Sequence, residues 1–222
     1  MNSAEPSFES VWEARETIVY PSLFGPASRG IFALTARQFT GAFGQSEVDP
    51  RWLHHGVFEF GPTPQRSSWI YVTSGTSNPW EQVPSEYSMA GVSGLGTELV
   101  LEAASQSDWA IGVLAHLLAY NILLAHGRFG DFEPLRLGAR VPLGGPVSGD
   151  ARCALTFVAV AEATHYQSTF HLDSGRVKLL HLVGITEPEW LFAREWGTEA
   201  LIDLLRTSGA FPVTDPSRDS AV

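Results

Sequence analysis

The sequence predicts an α+β fold, in which a mixed, largely antiparallel sheet is packed with helices. Three patterns predict it. Residues 95–103 alternate apolar and other side chains with the two-residue period of a strand. Residues 153–161 and 175–185 are apolar runs typical of buried strands, and residues 109–126 form an apolar stretch long enough for a buried helix. Helix signals at both ends of the chain supply further helices to cover the sheet.

The bulk composition fits one domain over residues 1–222, with a core from about residue 8 to residue 215. The 222 residues are 44% hydrophobic and 11% aromatic, enough for a substantial core. With 14 basic and 24 acidic residues the net charge is −10, which favours basic partners over nucleic acid or an anionic membrane. We therefore expect neither nucleic acid nor membrane among the partners, and the oligomeric state stays open.

Cysteine content and the amino terminus predict where the protein works. The single cysteine, Cys153, cannot form an internal disulfide, and the apolar run around it predicts a buried, unreactive thiol. The first ten residues, MNSAEPSFES, are acidic where a signal peptide needs basic residues and an apolar stretch. We therefore expect a soluble cytoplasmic protein.

The first helix is predicted to begin at Ser10, because Ser10 and Glu13 have the spacing of a capping box, and to end before Pro21. Three short apolar or alternating runs follow, each broken by Gly, Pro or Ser. They are IFALTARQF, LHHGVFEF and SSWIYVT. Such runs predict strands, or a strand and a short helix.

The clearest strand covers residues 95–103. Its alternation predicts one buried face and one half-exposed face. The face expected to be buried carries Leu95, Thr97, Leu99 and Leu101, and the opposite face carries Gly96, Glu98, Val100 and Glu102.

A long helix is predicted over residues 109–126, with Asp108 as its cap and Gly127 after its end. It is apolar nearly all the way round, so the sheet and the terminal helices must cover it on several sides. Its apolar stretch is short for a bilayer crossing and includes His116 and Asn121. These features indicate a buried helix of a soluble protein.

The region after this helix is predicted as a long surface loop over residues 127–149, which are rich in Gly and Pro and show neither period. The loop is either functional or packed over the helix. The apolar runs 153–161 and 175–185 then predict two central strands, joined by an irregular connection.

The carboxyl-terminal region predicts a broken helix. Thr186 and Glu189 have the capping-box spacing, Gly197 interrupts the helix, and Thr198 restarts it before Gly209.

No catalytic, metal or cofactor motif is complete. The seven histidines occur without paired cysteines, an HExxH pattern or clustered carboxylates, so we predict no metal and no cofactor. Residues 91–96, GVSGLG, resemble parts of the nucleophile elbow and of the dinucleotide fingerprint. Leu95 and Leu99 stand where those motifs need glycine, and a strand follows where the second needs a helix. We therefore predict no catalytic residue.

Two features have both a structural and a binding interpretation. Gly94 and Gly96 mark a tight start of the strand, or they leave its backbone open to an incoming peptide. Residues 73–80, TSGTSNPW, carry small hydroxyls that stabilise turns locally. In the alternative interpretation Asn78 and Trp80 contact a partner, because an exposed tryptophan supplies much of the binding energy in many interfaces.

Four segments, in order along the chain, resemble those of a known family. They are WEARETIVYPSLFG (residues 12–25), WIYVTSGTSNPWE (residues 69–81), SGLGTELVLEA (residues 93–103), and residues 181–207 followed by PVTD at 212–215. On these motifs nearly the whole chain resembles the suppressor of fused (Sufu) domain family, in its bacterial single-domain type. The resemblance implies a single Sufu-like α+β domain.

The resemblance also implies a binding mode. In animal members, a domain of this kind works with a second domain, which we expect this chain to lack, to clamp an extended peptide of a Gli transcription factor by strand pairing. We therefore predict that an extended partner segment pairs beside residues 93–103, with residues 69–80 as one wall. The predicted partner-binding residues are Tyr71, Thr73, Asn78, Trp80, Gly94, Leu95, Gly96 and Glu98.

The predicted function is non-enzymatic protein binding. Bacterial relatives are often regarded as immunity proteins that neutralise toxins by direct binding, which would suit a small acidic chain and a basic toxin. One alternative is a hydrolase that uses His165, His171 and Asp173, although their spacing gives it no support. The other is a structural or assembly domain without a toxin partner, which the sequence does not separate from immunity.

Overall fold

One mixed sheet with helices on both faces organises residues 7–222, the part of the chain that the computed structural model describes. Its eight strands are β1 Ala27–Ala33, β2 Gly56–Phe60, β3 Trp69–Ser74, β4 Val92–Ala103, β5 Arg140–Pro142, β6 Leu155–Glu162, β7 Thr169–Leu172 and β8 Gly175–Thr186. The α-helices are α1 Phe8–Glu13, α2 Tyr20–Phe24, α3 Ala36–Phe43, α4 Asp108–Ala125, α5 Glu187–Trp196 and α6 Thr198–Thr207. A π-helical segment, Ala14–Val19, joins α1 to α2, and two 3-10 turns occur at Pro50–His54 and Pro84–Glu86. The predicted α+β class with a largely antiparallel sheet is confirmed.

The strand order is β1-β2-β3-β4-β8-β6-β5, and β7 pairs with the first part of β8 beyond the end of β6. Only β4 and β8 run parallel within this described sheet; the other pairs are antiparallel. Strands β6 and β8 therefore lie inside the sheet, as predicted. Strand β4 also lies inside it, between β3 and β8.

Helices cover the sheet in three groups, each over its own part of the core. Helix α4 packs on one face, where it buries side chains such as Leu99 and Leu101 of β4. The N-terminal helices cover part of the other face, around Val100 and Val177. Helices α5 and α6 cover the neighbouring part of that face, over β6 and β8. Both faces of the central strands are therefore dry, which explains their continuous apolar runs.

The predicted alternation of β4 is correct, but the predicted exposure of its faces is wrong. Glu98, Val100 and Glu102 share the face that was expected to be half exposed, and all three are buried. The reason is that the N-terminal helices cover this face. Leu95, expected to be buried, is 40% exposed because it lies near the start of the strand, where α4 does not cover it.

The first helix differs from the prediction at both ends. Ser7 is its N-cap and Ser10 is the third helical residue of the capping box, so helix α1 begins three residues earlier than expected. Pro21 does not end the helical region, because it lies in the first turn of α2, where a backbone N–H donor is not needed. The π-helical segment Ala14–Val19 leads directly into this turn.

Helix α4 is confirmed, with Ser107 instead of Asp108 at the N-cap. By length and composition alone it could cross a membrane, but 61% of that window is buried inside the fold, as in the core helix of a soluble protein. The predicted surface loop after it is partly wrong, because it contains the strand β5 and buries Leu135 and Val147 against the core. Its packing is fixed by Asn121, whose Oδ1 accepts a hydrogen bond of 2.7 Å from the Leu135 N–H.

The terminal helices follow the prediction. Thr186 and Glu189 form the capping box of α5, and Gly197, with φ of +92°, separates α5 from α6. Cys153 is buried, as predicted, although it lies two residues before β6 and not within it.

Candidate partner-binding site

The predicted binding loop is held against β4 by one buried carboxylate. Glu98 is fully buried, and its carboxylate accepts hydrogen bonds from the Gly75 and Ser77 N–H groups, both at 2.9 Å. The hydroxyls of Ser77 and Thr73 donate to the same carboxylate, each at 2.6 Å. Thr73, Gly75 and Ser77, which alternate along the TSGTSN segment, therefore satisfy the buried carboxylate of Glu98.

Arg15, from the π-helical segment, compensates the charge of Glu98. Its guanidinium is fully buried and lies 3.9 Å from the carboxylate, measured from Nη1 to Oε1. The same Nη1 donates to Asn78 Oδ1 at 2.6 Å and to Ser77 Oγ at 2.9 Å. Burial alone would raise the pKa of Glu98, but Arg15 and the donors on Ser77 and Thr73 lower it below its usual value. The carboxylate is therefore ionised, and Asn78 is fixed in one orientation.

The loop is also hydrogen-bonded to the start of β4. Leu95 donates its N–H to the Thr76 carbonyl at 2.8 Å, and the Ser93 hydroxyl donates to the Ser77 carbonyl at 2.7 Å. Strand β8 pairs along the opposite side of β4, from Thr97 to Leu101. Strand β4 is therefore not an accessible edge, and the predicted pairing of a partner segment beside it is wrong, because its neighbours are strands and a loop of the same chain.

The two glycines serve this internal contact. Gly94 has φ of +55°, and a Cβ there would come within 2.6 Å of the carbonyl oxygens of Thr76 and Asn78. Gly96 has φ of +71°, and a Cβ there would come within 2.4 Å of Val92. The space left by their missing side chains is filled by the chain itself, as in a tight start of the strand, and contact of Gly94 and Gly96 with a partner stays a prediction.

Beside this loop lies a cavity of about 410 Å³, which we call the loop cavity. Its lining includes four of the eight predicted residues, namely Asn78, Trp80, Gly94 and Leu95. The fixed side chain of Asn78 supplies a polar group, while Trp80 and Leu95 supply apolar surface. The Trp80 ring packs on Phe8, with 4.4 Å between ring centroids. Its indole Nε1 has no hydrogen-bond partner within residues 7–222.

The other four predicted residues, Tyr71, Thr73, Gly96 and Glu98, do not line the loop cavity. Tyr71, Thr73 and Glu98 are fully buried. The Tyr71 hydroxyl accepts a hydrogen bond of 2.7 Å from the Ser107 N–H at the start of α4. Thr73 and Glu98 are hydrogen-bonded to each other beneath the TSGTSN loop. Gly96 follows Leu95 in the chain and does not line the loop cavity. Contact of the eight residues with a partner stays a prediction, and the structure brings together only the four that line the loop cavity.

The sequence analysis missed the opposite wall of the loop cavity. Trp52 and His126 line it, and the Trp52 Nε1–H donates to His126 Nε2 at 3.2 Å. Burial lowers the pKa of His126, which keeps this ring a neutral acceptor. At the rim, Arg51 is paired with Glu81 at 2.8 Å and with Asp49 at 2.8 Å. No local motif indicates this wall, because its residues come from a 3-10 turn and the end of α4.

The structure gives no chemical arrangement to the proposed hydrolase residues. Within residues 7–222, no side-chain hydrogen bond or ion pair joins His165, His171 and Asp173 to one another. Residues 7–222 as a whole contain no group of three or more His, Cys, Asp or Glu side chains that could hold a metal ion.

The eight-stranded mixed sheet with helices on both faces defines an α+β domain. The chain matches the family model of the suppressor of fused protein (SUFU) over residues 51–219, which is more than half of its length. The chain therefore belongs to the suppressor of fused family. No curated protein sequence matches it.

Three solved structures are similar to this one. Drosophila Suppressor of Fused is 18% identical with a TM-score of 0.59, and the match covers 75% of this chain and 42% of that one. A chain in the crystal structure of the Sufu–Fu complex is 17% identical with a TM-score of 0.66, covering 98% and 93% of the two chains. A SUFU homolog from Neisseria gonorrhoeae FA 1090 is 18% identical with a TM-score of 0.63, covering 96% of each chain. At these identities the likeness shows the shared fold, and this chain spans less than half of the Drosophila protein.

Proposed function

We propose that the protein is a non-enzymatic domain that binds a protein partner at the loop cavity. The observation that carries this proposal is the side chain of Asn78, which Arg15 fixes beside the apolar surfaces of Trp80 and Leu95. A concave apolar site with one oriented polar group is typical of a binding pocket. A relative of the same fold is found in the Sufu–Fu complex, which supports a protein as the ligand.

The partner is proposed to insert an apolar side chain into the loop cavity and not to extend the sheet at β4. The neighbours of β4 already use its backbone groups, so the binding energy must come from burial of apolar surface against Trp80 and Leu95 and from hydrogen bonds to Asn78. A net charge of −10 favours a basic partner through faster, salt-dependent association.

Site-specific photo-crosslinking tests the location. A photoreactive phenylalanine analogue at Leu95, which is 40% exposed beside the cavity, should crosslink a polypeptide in the cells that naturally produce the protein. The matched control is the same analogue at Leu191, which is 50% exposed on α5. Equal crosslinking from both positions, or crosslinking from Leu191 alone, would contradict the proposal.

We further propose that the partner is a toxin that this protein neutralises in the cytoplasm. The acidic charge supports a basic polypeptide as the partner, and the single cysteine supports a reducing compartment as the place of binding. Expression of the crosslinked partner alone should arrest growth, and co-expression with this protein should restore it. Normal growth with the partner alone would instead indicate an assembly role.

The charge of the partner has its own test. Between low and high salt the association rate should fall, because exposed charges are screened over about 8 Å near physiological ionic strength. An association rate that does not change with salt would exclude a basic partner steered by this surface, whatever the site.

A further inference from the structure

A second cavity, of about 660 Å³, lies on the same side of the sheet as the N-terminal helices. The end of α2, the turn at residues 63–68, the end of β4 and Tyr166 form its walls. We call it the Glu102 cavity, because Glu102 lines it and is only 1% exposed. The Ser68 hydroxyl donates to Glu102 Oε1, whereas Oε2 has no hydrogen-bond partner within residues 7–222.

Glu102 differs from the other buried glutamates of the described chain. Glu59 pairs with Arg29 at 2.6 Å, Glu189 pairs with Arg218 at 2.6 Å, and Glu98 has Arg15 at 3.9 Å. No Lys, Arg or His nitrogen of residues 7–222 lies within 4.0 Å of the Glu102 carboxylate. A buried carboxylate without a cation is costly, so this one lacks a partner that the fold supplies to each of the others.

The neighbours that could neutralise Glu102 are already engaged. Arg66 lines the cavity, but it donates Nε–H to the Ser68 carbonyl at 3.0 Å and Nη2–H to the carbonyls of Phe24 at 3.2 Å and Gly61 at 2.5 Å. The Tyr166 hydroxyl is hydrogen-bonded to His181 Nδ1 at 2.9 Å. His181 Nε2 is 2.8 Å from the Pro212 carbonyl oxygen. None of these three side chains forms a hydrogen bond to the free oxygen of Glu102.

We propose that the Glu102 cavity binds a guanidinium or primary ammonium group, which completes the missing ion pair. A cation there would meet the carboxylate, and the rings of Phe24 and Tyr166, whose centroids are 5.1 Å apart, offer aromatic surface in the same cavity. The exposed Ser22, Gln65 and Ser67 at its mouth leave it open to a side chain from outside. This site is separate from the loop cavity and does not depend on the function proposed for that cavity.

Isothermal titration with small probes tests the site. N-acetyl-arginine amide represents an arginine side chain of a polypeptide, agmatine represents a free cationic metabolite, and N-acetyl-citrulline amide is a neutral analogue of nearly the same shape. We expect millimolar or tighter binding of at least one cation and none of citrulline. Stronger binding of the arginine amide would assign the site to a polypeptide, and stronger binding of agmatine to a small molecule.

Two variants locate the binding. Glu102→Gln keeps the shape of the side chain and removes its charge, so it should weaken cation binding on the order of tenfold or more. Glu162→Gln, a change at an exposed glutamate on β6 whose side chain is 59% exposed, should leave binding unchanged. Circular dichroism should show that both variants are folded. Cation binding that persists in Glu102→Gln, binding of citrulline equal to that of arginine, or no binding of any cation would overturn the proposal.

A carboxyl-carbon NMR titration of the wild-type protein gives a second readout that does not need a variant. The Glu102 signal should shift on addition of the bound cation at constant pH. A Glu102 signal that is unchanged at saturation would also overturn the proposal.

Discussion

Arg15 Nη1 and Glu98 Oε1 lie 3.9 Å apart, and both side chains are fully buried. This pair joins the π-helical segment before α2 to the centre of the sheet. It also fixes the loop that carries Asn78 and Trp80, because Arg15 and Glu98 share hydrogen bonds to Ser77. The shape of the loop cavity therefore depends on a buried ion pair that never contacts solvent.

Loss of Arg15 should destabilise the fold strongly. Arg15→Met keeps much of the side-chain volume but leaves Glu98 as an uncompensated buried charge, so we expect a loss of about 3–5 kcal/mol in the free energy of unfolding. The control is Arg152→Met, because the Arg152 side chain is 91% exposed in its pair with Asp150, and its loss should leave stability unchanged. Urea unfolding of both variants measures the difference. Equal stability of the two variants would show that Glu98 does not need Arg15.

The free energy of unfolding should decrease as the pH is lowered, because His55 is buried in the folded protein. Burial lowers the pKa of His55 to about 4, so the folded protein keeps this ring neutral below the pH at which the unfolded chain takes up a proton, near 6.5. The unfolded state therefore binds more protons between these values. The contribution of His55 is complete above pH 6.5 and is lost as pH falls towards 4, by about 3 kcal/mol in total.

Urea unfolding at several pH values, compared with His55→Gln, measures this contribution. The slope of stability against pH between 6.5 and 4 should be smaller in the variant, whatever its stability at pH 7. An NMR titration in which His55 of the folded protein gains its proton near 6.5 would contradict the assignment.

A side chain at Gly94 should destabilise the fold, because the backbone of residues 76–78 already fills the space that a Cβ would need. Gly94→Ala adds strain at positive φ and places the new Cβ 2.5 Å from the Asn78 carbonyl oxygen, so we expect a loss of about 2–4 kcal/mol of stability. Gly130→Ala is the matched control, since Gly130 also has positive φ, of +75°, but has no atom within 4 Å of the added Cβ. It should cost about 1 kcal/mol. Equal losses of stability in the two variants would mean that the loop is not in close contact with β4 at Gly94.

Local signals predicted the helices and strands better than they predicted exposure. The capping box of Thr186 and Glu189 and the break at Gly197 depend on neighbouring residues, so the sequence alone was sufficient for them. The period of β4 was also visible. The contacts of its Glu98 side chain could not be predicted, because Arg15 and the loop that surround Glu98 come from distant parts of the chain. Short polar residues that satisfy a buried charge look the same in sequence as those of an exposed binding loop.

Trp80 should anchor the partner at the loop cavity. Once the crosslinked partner is purified, Trp80→Ala should weaken its binding by about 2 kcal/mol, the loss typical of a buried aromatic anchor. Trp196→Ala should leave binding unchanged, because Trp196 is 63% exposed at the end of α5. Calorimetric titration of the partner into each variant measures the dissociation constant.

Phe8→Ala separates binding from packing in this test. The Phe8 ring packs on the Trp80 ring at an interplanar angle of 42°, so its loss loosens the same aromatic contact while the indole that lines the loop cavity stays in place. We expect Phe8→Ala to lower the free energy of unfolding with only a small effect on partner binding. If it weakens binding as much as Trp80→Ala does, the loss arises from a loosened α1, and Trp80 does not anchor the partner directly.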